Sequence, residues 1–368
     1  MGKTRSFDII VVGLGGMGSA AAAHIAARGK RLLGLEQFQP GHTEGSSHGR
    51  SRVIRLAYFE HPAYVPLLGR AYELWRRLER DTGKHLLQIT GGLMIGSPDS
   101  EVVSGSLRSA REHGLAHEML DAAEIHRRFP PFTPRQGIVA FYETEAGSLF
   151  PEESNKAHLE MAGRHGAELH FEEAVEDWQM LHSGAVEVRT SRDRYECDRV
   201  ILTPGAWASS LFKIPWLPLE VEPQILYWFE PEGGAAPFAP DRFPIYIWDL
   251  GAGVQFYGFP ADDRRRVKVA FFRSPANDEQ SMRAALAPCI PALASGVLAD
   301  HVRCKYTLTP DHHFVIGPHP DYPNVVVASP CSGHGYKFAS VIGEILADLA
   351  TTGGTRHPID LFGLSRFR

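Results

Sequence analysis

The feature that most constrains this chain is a glycine-rich turn, Gly13 to Gly18, between a predicted strand and a predicted helix. Residues 7–12 are rich in β-branched side chains, which is typical of a strand buried on both faces. Residues 19–28 are rich in alanine, which favours a helix, and Gly29 ends it. Residues 31–35 predict a second strand. This order predicts a parallel sheet with a right-handed crossover.

The spacing of the glycines indicates a site for a dinucleotide. Gly13 permits a tight turn, Gly15 lets the backbone approach a pyrophosphate, and Gly18 lets helix and strand pack closely. The helix N-terminus then offers free N–H groups to the phosphates. Glu36, 18 residues after Gly18, lies where a carboxylate accepts hydrogen bonds from a ribose. The pattern does not separate NAD from FAD.

Composition and charge exclude several other classes. The 368 residues are 43% hydrophobic and 22% charged, which is typical of a globular enzyme. A net charge of -5 gives no reason to expect a nucleic acid or an acidic membrane as partner. Residues 9–23 carry no charge but contain four glycines and fall short of a membrane span of about 20 residues. The four cysteines lack CxxC or metal-ligand spacing, which suits a reducing compartment, so we predict a cytoplasmic protein without a metal site.

Later segments predict more of the same sheet and a second β-rich region. Residues 199–202 and 324–328 are short apolar strands, and residues 337–350 predict a helix. Residues 217–269 alternate apolar and polar side chains, which is typical of antiparallel strands with one exposed face. The expected fold class is therefore α/β, a Rossmann-type domain with an inserted, mostly antiparallel β substrate domain. The expected segments are 1–88, 150–220 and 311–368 for the nucleotide-binding domain, and 89–149 and 221–310 for the substrate domain.

Several ordered motifs run along nearly the whole chain. They are Gly45-Ser46-Ser47-His48-Gly49 with Arg52 and Arg55, Tyr257-Gly258-Phe259-Pro260 with Lys268, Cys304-Lys305-Tyr306-Thr307 with Thr309-Pro310-Asp311, and Ser332-Gly333-His334-Gly335-Tyr336-Lys337-Phe338. This set resembles the monomeric sarcosine oxidase and N-methyltryptophan oxidase family, within the group that includes D-amino acid oxidase.

The resemblance implies a flavoenzyme. Its cofactor would be FAD, attached covalently through Cys304, and its substrate a small secondary amino acid, N-methylated or cyclic. The C–N bond would be oxidised to an imine, and O2 would be reduced to H2O2. We expect a monomer, with no nucleic acid or membrane partner.

Residues 302–307 predict a strand that turns Cys304 and Tyr306 to one face, with Arg303 and Lys305 on the other. Such a strand presents a thiol and a phenol together to the flavin. The alternative for Cys304 is a buried structural thiol. Tyr306 and Tyr257 are candidates for the substrate pocket, with ordinary packing as the alternative.

Three cations have expected roles in the chemistry. Arg55 and Lys337 match the family's substrate-carboxylate residues, because a guanidinium and an ammonium together hold a carboxylate. The alternative for Arg55 is a surface ion pair. Lys268 lies in an apolar run and matches the residue assigned to oxygen activation, where a cation stabilises superoxide-like charge.

By the same resemblance, the segment around His48 and Arg52 faces the flavin. Ser46, Ser51 and Gly335 are expected cofactor contacts. We assign no general base, because the protein's task is to position the substrate C–H bond at the flavin.

Two departures from the family pattern bear on the substrate. Phe272 stands where the family's sarcosine oxidases carry a histidine, and Pro330-Cys331 replaces a glycine–aromatic pair. The first change makes the pocket less polar and the second leaves space, so sarcosine itself is in doubt.

Three other readings stay open at this point. One is an amine dehydrogenase that passes electrons to a quinone or a protein, and another is a flavin-binding protein without turnover. An NAD dehydrogenase is the third, and the colour of the purified protein would exclude it.

Overall fold

The computed structural model describes residues 5–368. Its helices are α1 Gly16–Ala26, α2 Val65–Thr82, α3 Glu101–His113, α4 Ala122–Arg128, α5 Pro151–Arg164, α6 Ala208–Leu211, α7 Glu279–Leu286, α8 Pro291–Ala294 and α9 Ala339–Thr352. Its strands are β1 Arg5–Val12, β2 Leu32–Leu35, β3 Arg52–Ile54, β4 Leu87–Ile89, β5 Gly92–Gly96, β6 Glu118–Asp121, β7 Val139–Glu143, β8 Gly147–Leu149, β9 Glu168–His170, β10 Val175–Met180, β11 Val186–Thr190, β12 Arg194–Leu202, β13 Glu220–Glu230, β14 Ile245–Asp249, β15 Gln255–Ala261, β16 Val267–Arg273, β17 Val297–Leu308, β18 Val315–Pro318 and β19 Val325–Ser329.

The first sheet is built around β1 and contains the predicted parallel strands. Its order is β10-β11-β12-β1-β2-β9, and β19 pairs with the second half of β12 and with β18. Strands β2, β1, β12 and β19 are parallel, which confirms the strand–helix–strand prediction. Helices α1, α5 and α9 pack together beside this sheet and contribute to a common apolar core.

Helix α1 begins and ends earlier than the alanine content predicts. It starts at Gly16 instead of Ser19 and ends at Ala26 instead of Arg28. Glycine is a poor helix former, so composition alone places the start too late. The structure needs glycine there because a Cβ on Gly16 would lie 2.8 Å from the Tyr336 ring.

The second sheet has the order β17-β13-β16-β15-β14-β5-β7-β6. Its pairs are antiparallel except β14 with β5, which run parallel. The predicted mostly antiparallel sheet is confirmed, since β13 to β16 pair with one another antiparallel and the one parallel partner, β5, lies outside residues 217–269. The strands of this sheet come from residues 92–143 and 220–308.

A small sheet of β3, β8 and β4 lies in the chain segments that pass between the two large sheets. The carboxyl ends of β1, β12 and β19 meet at one edge of the first sheet, since the three strands are parallel neighbours. Ligands of parallel sheets bind beyond such an edge. Within residues 5–368, no helix combines the length and apolar character that a membrane crossing requires.

Candidate active site

A cavity of about 900 Å³ begins at the carboxyl ends of the parallel strands and continues to the second sheet. Its nucleotide end is lined by the predicted residues Gly13, Gly15, Glu36 and Ser46. Its other end is lined by the predicted residues Arg52, Arg55, Tyr257, Phe272, Cys304, Tyr306, Gly335 and Lys337. One elongated cavity therefore joins most of the residues that the sequence singled out.

The glycine turn has the geometry that its sequence predicts. Gly13 has φ +85°, and a Cβ there would lie 2.6 Å from the Thr203 carbonyl oxygen. A Cβ on Gly18 would lie 1.7 Å from the Gly13 carbonyl oxygen, so this residue must be glycine for α1 to pack on the turn. Gly15 precedes α1, whose first residues have no side-chain cap at Gly15. The turn lines the cavity at the N-terminus of α1, and a helix N-terminus favours a pyrophosphate.

Glu36 braces this turn from the end of β2. Its buried carboxylate accepts hydrogen bonds from Leu14 N at 2.8 Å and Phe38 N at 3.2 Å. A carboxylate has about four acceptor positions, so Glu36 keeps capacity for a ribose diol. Cavity length, backbone donors and this acceptor together fit a dinucleotide such as FAD.

Cys304 lies on β17 at the middle of the cavity. Cys304 and Tyr306 are buried while Arg303 is exposed and Lys305 half-buried, so the side chains alternate as predicted. The cation beside the thiol comes from another strand, because Nη2 of Arg52 lies 3.8 Å from Sγ. Sequence reasoning missed this pairing, since the two residues are far apart along the chain.

Lys268 lies behind the cavity lining and is 2% exposed. Its ammonium donates hydrogen bonds to the carbonyl oxygens of Gly49 and Ser51, both at 2.7 Å. Burial, and then the charge of Arg52, hold the pKa of Lys268 well below its usual range. The half-buried Ser51 and the buried His48 also lie outside the cavity lining, whereas direct cofactor contact was expected for Ser51. His48 Nε2 lies 3.0 Å from the Gly45 carbonyl, and burial lowers its pKa to about 4.

Arg55 forms a buried ion pair with Glu60. The two side chains are 1% and 6% exposed, and Arg55 Nη2 lies 2.6 Å from Glu60 Oε2. The guanidinium carbon lies 4.3 Å from the ring centres of both Tyr58 and Phe59. The alternative of a surface pair is therefore wrong. Glu60 was missed because one acidic residue after an aromatic pair carries no recognisable pattern.

Lys337 stands beside this pair, in a short 3₁₀ turn, Tyr336–Phe338, that precedes α9. Its ammonium donates to the His334 carbonyl oxygen at 2.7 Å and to the Tyr58 hydroxyl at 3.3 Å. The Tyr58 hydroxyl lies 2.6 Å from His334 Nδ1. Two buried cations and one buried carboxylate thus meet in one part of the cavity lining, which we call the Arg55 end.

Comparison with known proteins agrees with this geometry. The family model described as FAD dependent oxidoreductase matches residues 8–349. The chain is 50% identical to the monomeric sarcosine oxidase of Streptomyces avermitilis, over 97% of each chain. The chain belongs to the monomeric sarcosine oxidase family of FAD-dependent oxidoreductases. The predicted family, enzyme class and FAD dependence are confirmed.

Other relatives of this oxidoreductase extend the comparison. The chain is 36% identical to the monomeric sarcosine oxidase of a Bacillus species, over 98% of this chain and 96% of that one. It is 31% identical to the N-methyl-L-tryptophan oxidase of Yersinia pestis, over 98% and 100% of the two chains. The L-proline dehydrogenase of P. horikoshii has a TM-score of 0.86 at 22% identity, with 99% and 98% covered. NikD, an amino acid oxidase of nikkomycin biosynthesis, has a TM-score of 0.83 at 24% identity, with 98% of each chain covered. These two structures confirm the fold.

The part of the cavity that contains Arg55 and Lys337 in this oxidoreductase also has an aromatic lining. The Phe272 ring centre lies 6.1 Å from that of Phe59 and 6.4 Å from that of His334. A Cβ on Gly333 would lie 2.9 Å from the Tyr306 ring and 3.2 Å from the Phe272 ring. Glycine at 333 therefore lets these two rings stand side by side at the cavity.

Among the ionisable groups around Arg55 in the cavity of the oxidoreductase, Lys337 has the pKa nearest neutrality. Burial, and then the charge of Arg55, lower the pKa of Lys337 to about 7. Burial lowers the pKa of His334 to about 3 and raises that of Tyr58 well above its usual value. Burial opposes ionisation of Glu60, but Arg55 keeps the pKa of this carboxyl below its usual value. The described part of the chain holds no cluster of His, Cys, Asp or Glu side chains arranged for a metal ion.

Proposed function

We propose that this chain oxidises the C–N bond of a small secondary amino acid, N-methylated or cyclic, and reduces O2 to H2O2. The substrate loses two electrons and two protons to become an imine, which water hydrolyses. FAD, when bound, would accept these two electrons. The observation that carries the proposal is the pair of buried cations, Arg55 and Lys337, at one end of the cavity of about 900 Å³.

The charges at this end favour one carboxylate. Arg55 and Glu60 neutralise each other, so protonated Lys337 leaves the three groups with one net positive charge. A substrate carboxylate brings that charge to zero in a site where little water screens it. Lys337 therefore attracts the substrate, and the Arg55 guanidinium provides the planar donors that orient the carboxylate.

The aromatic side chains define the rest of the pocket. Phe272, Tyr257 and Tyr306 line the cavity between the cations and Cys304. Held at its carboxylate and enclosed by rings, a neutral secondary amine is oriented with its C–H bond toward the cofactor. Phe272 is apolar, which favours a substrate whose N-substituent or ring is hydrophobic. Pro330 and Cys331 also line the cavity, and this part of the lining is not aromatic.

The experiment that tests this function is anaerobic mixing of the purified protein with a panel of amines while flavin absorbance is recorded. The panel holds sarcosine, larger N-methyl amino acids, proline, pipecolate, and matched amines that lack the carboxylate. We expect bleaching by carboxylated secondary amines and one H2O2 for each turnover when air is admitted. Bleaching without H2O2 would favour a different electron acceptor. Bleaching by none of them would contradict the proposal.

Affinity for carboxylates is expected to depend on the charge of Lys337. The group is a cation below its pKa of about 7 and neutral above it. The dissociation constant of a carboxylate without an amine, such as propanoate, should therefore rise by roughly tenfold per pH unit above neutrality. Flavin absorbance changes on titration between pH 6 and 9 measure it. The Lys337→Met variant should bind propanoate weakly, with a dissociation constant that does not change with pH. A dissociation constant independent of pH in the parent protein would refute the assignment of Lys337 as the group that attracts the carboxylate.

Covalent attachment of FAD through Cys304 is part of the proposal. Cys304→Ala should release its FAD into the supernatant on acid precipitation, whereas the parent protein should give a yellow pellet. Cys331→Ala is the matched control, because that thiol also lines the cavity. A yellow pellet from Cys304→Ala together with a colourless pellet from Cys331→Ala would move the attachment to Cys331.

The remaining features complete the proposal. Residues 1–88, 150–220 and 311–368 form the FAD-binding domain, and residues 89–149 and 221–310 the substrate domain; residues 1–4 lie outside the described part. The first large sheet takes its strands from the former segments and the second from the latter, except for Glu220 of β13. The protein acts as a monomer in the cytoplasm, and sedimentation velocity measures the oligomeric state.

A further inference from the structure

The turn of residues 49–51 is the structure that holds the Lys268 ammonium. Gly49 has φ +94° and Arg50 has φ +66°, so two successive residues are in left-handed conformations. This conformation directs the carbonyl oxygens of Gly49 and Ser51 to the same point, where each accepts a hydrogen bond of 2.7 Å from Lys268 Nζ. A left-handed conformation is unfavourable for arginine, so other contacts must maintain the turn.

Glu152 supplies such contacts from the opposite side. Its Oε1 accepts hydrogen bonds from Gly49 N at 2.8 Å and from Arg50 N at 3.0 Å, across 103 and 102 positions of the chain. Glu152 is the second residue of α5, where the helix N-terminus stabilises an anionic side chain. The side chain is half-buried and lines the cavity.

Glu152 is also a negative charge beside buried cations. Arg52 and Lys268 lie close together, since Ser51 O accepts hydrogen bonds from both. The charge of Glu152 raises the pKa of Lys268, against the lowering by burial and by Arg52. Removing the carboxylate would therefore disturb both the position and the charge of the ammonium.

We infer that Glu152 is a positioning residue for the reaction with O2, acting through the 49–51 turn to hold the Lys268 ammonium in place behind the cavity lining. The inference rests on the oxygen-activating role proposed for Lys268. It predicts that Glu152 affects reoxidation of the reduced flavin and leaves the reaction with the amine nearly unchanged.

The test measures both half-reactions by stopped flow in Glu152→Ala and Glu152→Gln, each alone and combined with Lys268→Met. Glu152→Ala should slow reoxidation by O2 about 10- to 100-fold, as loss of a supporting hydrogen-bond partner does elsewhere. Anaerobic reduction by the amine should change less than about threefold. Glu152→Gln should lie between, because its amide oxygen accepts the same N–H groups without the charge. Glu153→Ala is the matched control, because this exposed neighbour also lines the cavity, whereas the hydrogen bonds to Gly49 N and Arg50 N are made by Glu152.

The combination with Lys268→Met is decisive, since the effects of substituting two residues that act through one another do not add. Glu152→Ala should cause no further loss once Lys268 is absent. Equal losses in both half-reactions, or the full effect of Glu152→Ala in the Lys268→Met background, would overturn the inference. If Lys268→Met reoxidises slowly and Glu152→Ala reoxidises at the parent rate, only the inference about Glu152 is refuted. If Lys268→Met also reoxidises at the parent rate, the oxygen-activating role of Lys268 is refuted and the inference with it.

Discussion

Lys268→Met should slow reoxidation of the reduced flavin by O2 by about 10²- to 10³-fold while anaerobic reduction by the amine stays within a fewfold of the parent rate. The reason is electrostatic. O2 gains negative charge as it accepts the first electron, and the buried Lys268 ammonium is held by two carbonyl oxygens without a carboxylate hydrogen-bonded to it within residues 5–368. Methionine has a similar length and no charge, so the cavity keeps its shape.

Stopped-flow measurement of the two half-reactions separates this role from a structural one. Lys268→Arg is the matched variant, because it keeps a positive charge with a different geometry. It should recover part of the rate of reoxidation. Equal losses of reduction and reoxidation in Lys268→Met would instead place Lys268 in the general architecture of the site, and the oxygen-activating role would be lost.

Arg55→Ala is expected to affect both substrate binding and folding stability. It removes the guanidinium that we propose orients the substrate carboxylate, which should cost about 2–5 kcal/mol, or roughly 30- to 4,000-fold in kcat/KM. It also leaves the buried Glu60 without its partner, and breaking a buried pair in this way costs about 3–5 kcal/mol of folding stability. The two effects arise from different partners of one side chain.

The double variant Arg55→Ala/Glu60→Gln separates these two effects. Removing both charges should restore most of the free energy of unfolding, measured by denaturant titration, because no uncompensated carboxylate remains. It should not restore kcat/KM for a carboxylated amine. An amine without a carboxylate should react with similar kcat/KM in the parent and the double variant. Unchanged kcat/KM in Arg55→Ala would show that the substrate carboxylate binds elsewhere.

Local sterics explain why the nucleotide end was predictable. Gly13 has a φ of +85°, and a Cβ on Gly18 would lie 1.7 Å from the Gly13 carbonyl oxygen, so the need for glycine at both positions arises within a short segment. The alternation around Cys304 was predictable for the same reason, since a strand turns successive side chains to opposite faces. The start of α1 was harder to predict, because glycine is a poor helix former and the glycine at 16 is required by the distant Tyr336 ring.

The cations of the proposed substrate site could be predicted from the sequence, whereas the carboxylates that contact them or their turn could not. Arg55, Lys337 and Lys268 were found through ordered motifs, but Glu60 and Glu152 carry no local signal. Glu60 acquires its meaning from burial beside Arg55, and Glu152 from two hydrogen bonds to a turn more than a hundred positions away. The parallel pairing of β14 with β5 was missed for the same reason, since its partner lies far away in the chain.

The sequence by itself determined the parallel sheet and the dinucleotide turn, because each depends on sterics within a short segment. Its ordered motifs pointed to the cations Arg55, Lys337 and Lys268 through the family that they resemble. Only the tertiary structure decided which charges neutralise each other. It pairs Arg55 with Glu60, places the Lys337 ammonium against the His334 carbonyl oxygen, and holds Lys268 behind the cavity lining through the 49–51 turn. Burial makes these pairings strong, and burial is a property of the folded chain.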